Sequence, residues 1–116
     1  MVQLQVSLTA ETDGTTLLVA VAGEFDRAAT DRFERAFDEA LAVAREGIVL
    51  DLSAVTFIDV AAVRTLLSAN ARTCDQGLGL TVVRPTGTAS RIFTLTRVGE
   101  VLSVTDGDAG SADPPA

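Results

Sequence analysis

Residues 48–63 narrow the choice of fold more than any other part of this chain. The run Ile48-Val49-Leu50-Asp51-Leu52 lies between Gly47 and Ser53 and reads as a short strand buried on both faces. A loop follows, then Asp59, and from there the apolar residues recur with helical spacing. A strand that passes through an acidic cap into a helix is the repeating unit of an α/β sheet. The loop beyond such a strand is where these units carry function. The residue at the mouth of this helix is Val60.

The flanking segments extend the same pattern. Residues 3–8 alternate Leu4, Val6 and Leu8 with Gln3, Gln5 and Ser7, the two-residue period of a half-buried strand. Asp13-Gly14 then precedes a second extended run, 17–22, which predicts an antiparallel hairpin. Gly23-Glu24-Phe25-Asp26 closes that strand. Over 30–45, Phe33, Ala36, Phe37, Ala40, Leu41 and Ala44 fall on one helical face, with Asp31, Glu34, Arg35 and Asp38 opposite and Gly47 as the stop. Residues 59–77 predict a second helix with Val63, Leu66, Leu67, Ala71 and Cys74 inward, ended by Gly77. A strand at 80–83, a break at Pro85, Thr86 and Gly87, a helix at 88–97 and a strand at 101–104 complete the domain. In that third helix Ala89, Ile92, Phe93 and Thr96 point inward. Residues 105–116 are mostly Asp, Gly, Ser, Pro and Ala with little to bury, so a disordered acidic tail is expected.

The element order is thus β-β-α-β-α-β-α-β. Alternating strands and helices require parallel pairing with right-handed crossovers, joined here to an antiparallel N-terminal hairpin. The expected fold class is α/β, a small sandwich on a mixed sheet, occupying residues 1–104 as one domain without repeats.

Composition removes several functions. A chain of 116 residues with 47% hydrophobic content can bury one core unaided. Its net charge of −7 opposes nucleic-acid binding. Its one cysteine, Cys74, excludes an internal disulfide, suggests a reducing compartment and reads as a small buried hydrophobe. The N-terminal residues lack an apolar signal region, and no run nears the roughly 20 apolar residues that span a bilayer. A soluble cytoplasmic protein without membrane insertion is the expectation.

Catalytic equipment is equally sparse. The chain has no histidine, hence neither the commonest general base nor the commonest metal ligand. Gly77-Leu78-Gly79 precedes a strand instead of following one and has no lysine after it, so no phosphate loop is present. The run 106–110 resembles a calcium loop but has a misplaced glycine and no closing glutamate. Asp26 and Asp59 both follow strands. They form an acid/base pair or, on the reading favoured here, cap a turn and a helix. Neither an enzyme nor a bound cofactor or metal is expected.

The chain resembles the STAS family, the anti-sigma factor antagonist fold, over about residues 3–104. Gly23-Glu24-Phe25-Asp26 is similar to that family's Gly-Glu-Leu-Asp after the second strand. Val49-Leu50-Asp51-Leu52-Ser53 with Val55-Thr56-Phe57-Ile58-Asp59 is similar to its central strand and the approach to its signature loop. The resemblance implies a module whose partner is an anti-sigma factor of serine-kinase type. In the family the aspartate is followed by a serine or threonine that this kinase phosphorylates. A phosphate of charge about −2 adds repulsion and desolvation cost to a packed interface, so the partner is released. Here Asp59-Val60-Ala61-Ala62 stands at that place, with no hydroxyl to phosphorylate and alanine for the family's glycine.

The resemblance places the partner on the signature loop and the start of the second helix: Asp59, Val60, Ala61, Ala62, Arg64 and Thr65, flanked by Asp26 and Arg27. Arg64, Thr65, Ser68 and Arg72 follow helical spacing on one polar face. Ser53, Thr56, Thr65 and Ser68 carry hydroxyls near the loop without matching the phosphorylated position. Rival readings are an accessory subunit of a membrane transport or stress-sensing complex and a small-molecule sensory domain. Homodimerisation is left open by the sequence.

Overall fold

The computed structural model describes residues 3–10 and 15–105. The strands are β1 (Gln5–Ala10), β2 (Thr16–Phe25), β3 (Gly47–Ile58), β4 (Gly79–Val83) and β5 (Val104–Thr105). The helices are α1 (Thr30–Val43), α2 (Val60–Asp75) and α3 (Gly87–Thr96), with 3-10 turns at Arg27–Ala29 and Val98–Glu100. One sheet holds all five strands in the order β1-β2-β3-β4-β5, with β1 antiparallel to β2 and the other pairs parallel. This is the mixed α/β architecture that the element order requires. The Asp13-Gly14 turn and residues 106–116, including the calcium-like run, lie outside the described residues.

Every crossover advances one strand in the same direction along the sheet. Right-handed connections therefore stack all three helices on a single face. The core agrees. Leu17 pairs with Ile48 and Val19 with Leu50 on one side of β3, while Leu80 and Val82 of β4 sit level with them on the other. Phe33, Phe37, Ala40, Ala62, Leu66, Ala69, Ala89 and Phe93 of the helices join those strand residues in one buried cluster. Phe33 stacks on Phe37 with ring centroids 5.5 Å apart and meets Phe25 at 4.9 Å.

Several local expectations are corrected. The strand expected at 48–52 continues to Ile58, and it is buried on one face only, with Val49 and Asp51 half-buried. The one-sided burial follows from the helices sharing one face of the sheet, and two one-residue bulges in β3 then break its alternation. The register runs Ala20↔Asp51 then Ala22↔Ala54, and Gly23↔Val55 then Glu24↔Phe57. Each surplus residue shifts the parity, so the buried set passes from Ile48, Leu50 and Leu52 to Val55 and then Ile58. Gly47 is not a helix stop. It opens β3 opposite Gly79, where a Cβ would lie 3.1 Å from the Gly79 carbonyl oxygen. α1 ends at Val43, and Ala44 is already extended.

The inward stripe of α2 is also rotated from the one expected. Cys74 and Ala71 are exposed, whereas Ala62, Val63, Leu66, Ala69 and Thr73 are buried. Small alanines let the helix approach the sheet. Thr73 tolerates burial because its hydroxyl donates to the Ala69 carbonyl at 2.7 Å. In α3, Thr96 is exposed and satisfies its hydroxyl on the Ile92 carbonyl. The last strand is only Val104–Thr105, with Val101 exposed in the preceding turn. No helix among the described residues is long and apolar enough to cross a membrane.

Candidate functional site

β2 and β3 run parallel and finish level, Phe25 opposite Ile58. The next residue of each is an aspartate in extended conformation, with φ/ψ of −120°/−176° at Asp26 and −110°/−178° at Asp59. Each does the same local task. Asp26 Oδ1 accepts from the Ala29 N–H at 3.2 Å, starting the 3-10 turn. Asp59 Oδ1 accepts from the Ala62 N–H at 2.9 Å and caps α2. This is the capping role favoured from the sequence, and it occupies both carboxylates with main-chain donors.

Asp59 does more than cap its own helix. Its second oxygen, Oδ2, accepts from the Arg27 N–H at 2.9 Å. Its own N–H donates to the Phe25 carbonyl at 3.3 Å. The two loops beyond the sheet are thus stitched together through one residue.

Around this stitch the residues named from the sequence differ in accessibility. Val60, the first residue of α2, is 59% exposed. Arg27, Arg64 and Ser68 are exposed, while Asp26, Asp59, Ala61 and Thr65 are half-buried. The Thr65 hydroxyl donates to the Ala61 carbonyl at 3.0 Å. Ala62 is fully buried, so its expected role as a surface contact is corrected: its methyl belongs to the core and its N–H to Asp59. Arg72 also leaves the polar face. It pairs with Asp38 of α1 and lies over the Phe37 ring, 6.0 Å from the centroid, tying the two helices. Ser53 is half-buried beside the first bulge, with its N–H on Asp51 Oδ1, and Thr56 is exposed.

One residue escaped sequence reasoning. Phe57 is 43% exposed at the end of β3, opposite Glu24. An aromatic inside an apolar run reads as core, but the second bulge cancels the parity shift of the first and leaves Phe57 outward beside the buried Ile58. Exposed aromatic and aliphatic side chains rimmed by arginines are typical recognition surfaces. A groove beside the stitch is lined in part by Leu4, Glu24, Asp26 and Arg32, with Arg32 Nη1 donating to the Leu4 carbonyl at 2.9 Å. The surface offers recognition chemistry: two apolar knobs, guanidinium groups and a fixed backbone.

Comparison with known proteins adds the following. A sequence model of the family described as "Mlab, STAS domain" matches residues 8–104. An anti-sigma factor antagonist from Mycobacterium paratuberculosis is similar at 22% identity and TM-score 0.76, with 94% of this chain and 91% of that one covered. An antisigma-factor antagonist STAS domain from Rhodobacter sphaeroides is similar at 25% identity and TM-score 0.63, covering 70% and 86%. The Bacillus cell fate determinant SpoIIAA in its phosphorylated form is similar at 18% identity and TM-score 0.69, covering 93% and 96%. No curated protein matches the chain.

Proposed function

This chain belongs to the STAS domain family, and from that premise we propose that it is a regulatory antagonist that binds an anti-sigma factor without a phosphorylation switch at its signature loop. The observation that carries this reading is Val60, an apolar side chain 59% exposed at the first position of α2. Docking there buries a side chain that has no oxygen to accept a phosphoryl group. The module is then held in the state that resembles the unphosphorylated form of its relatives.

The other features fit this reading. Phe57 adds apolar area, and Arg27 and Arg64 add the residue type enriched at interfaces. The partner is an anti-sigma factor of serine-kinase type, met in the cytoplasm, and the chain contributes recognition and no catalysis. The missing hydroxyl also favours a second reading, a STAS subunit of a membrane transport or stress-sensing complex whose partner is not a kinase.

The test is affinity capture from lysate of the source cells, with wild type and Val60→Asp as baits and mass spectrometry as the readout. Burying an unpaired carboxylate should weaken binding by about 2–4 kcal/mol, a loss of roughly 30-fold or more. Recovery of an ATPase-type anti-sigma factor by wild type alone supports the antagonist reading. Recovery of transport-complex subunits by wild type alone supports the second. Identical captures by both baits would remove the signature loop from either.

A further inference from the structure

Resting on that docking reading, we infer that Asp59 is a positioning residue that locks the Arg27 turn and the start of α2 into one recognition platform. The carboxylate serves an orphan donor from each of two helix starts. Oδ1 takes the Ala62 N–H and Oδ2 the Arg27 N–H, both at 2.9 Å. Arg27 and Asp59 are 32 apart in sequence, so their bond is tertiary. Its main chain adds a third tie, the 3.3 Å bond to Phe25.

Side chains that flank this bond are the exposed ones. Arg27 extends from the 3-10 turn and Val60 from the first turn of α2. With both carboxylate oxygens engaged by the chain's own N–H groups, Asp59 acts on a partner through the spacing of those two neighbours. A cap alone would not need Oδ2. Any N-cap hydroxyl could serve Ala62, and only a carboxylate in this position also reaches Arg27.

Asp59→Ser separates the two tasks. Serine keeps the cap on Ala62 and is too short for the second bond. In the isolated protein, hydrogen exchange at the Arg27 amide should speed up by about tenfold, the scale of one charge-assisted hydrogen bond, while the Ala62 amide stays protected. Affinity for the anti-sigma factor that the wild-type protein captures should fall by a similar factor. A double-mutant cycle of Arg27→Ala and Val60→Ala should show coupling of roughly threefold or more in wild type and none in the Asp59→Ser background.

A second variant removes the donor without touching Asp59. Arg27→Pro suits the first position of the turn after an extended Asp26. It should bind more weakly than Arg27→Ala, from which it differs chiefly in lacking the N–H.

Unchanged exchange at Arg27 in Asp59→Ser, wild-type affinity in that variant, or equal binding by the proline and alanine variants would each overturn the inference. The exchange measurement needs no partner, and Val60→Asp tests docking separately. Loss of the platform and loss of the docking reading are therefore told apart.

Discussion

Adjacent residues of α2 have opposite fates. Thr73 is buried with its hydroxyl satisfied, and Cys74 is exposed. Cys74→Ser should therefore change stability by less than about 0.5 kcal/mol. Its thiol should also react with a labelling reagent in the folded protein at close to the rate of a free thiol. Reaction that waits for unfolding would contradict the exposure. Phe37 is the opposite case. Its ring is fully buried, stacked on Phe33 and roofed by the Arg72 guanidinium. Phe37→Ala should cost about 3–5 kcal/mol in denaturant unfolding. Gly23 sits at φ 100° within β2, beside the second bulge. A side chain there is strained, so Gly23→Ala should cost about 1–3 kcal/mol.

β3 carries the argument at the scale of elements. Counting alternate residues from Ile48 puts Ala54 inward and Val55 outward, whereas the first bulge reverses them: Val55 is 1% exposed and Ala54 is a surface residue. Val55→Asp should lower stability by more than about 3 kcal/mol, because an unpaired carboxylate would enter the core. Ala54→Asp should stay within about 1 kcal/mol. Equal denaturation midpoints for the pair would refute the register. The same bulges mark where the sequence stops being legible. Element order, the antiparallel start, the aromatic face of α1 and the two aspartate caps follow from periodicity and local hydrogen-bonding chemistry. Bulges have no composition of their own, so the length of β3 and the exchange of Ala54 and Val55 are not legible, while the apolar run masks the exposure of Phe57. Hydrophobicity alone does not mark Ala62, Ala69 and the self-satisfied Thr73 as the buried residues of α2.

In the whole molecule, core and candidate site occupy separate places. The helices share one face of the sheet, and the stitched loops lie beyond the carboxyl ends of β2 and β3. β4 accompanies β3 only from Gly47 to Asp51, while β2 follows it to Ile58. The site is thus carried on the part of β3 that outruns β4. Val60→Asp should lose its partner yet melt within a few degrees of wild type, since exposed substitutions rarely exceed about 0.5 kcal/mol. A large fall in melting temperature would mean that Val60 serves the fold. The exposure of Val60 carries a consequence for descent. Selection for folding leaves position 60 nearly unconstrained, so valine, serine and threonine are close to neutral exchanges until a partner is present. Under the docking reading, a lineage can gain or discard a covalent switch there by substitution at one site, with the scaffold unaltered.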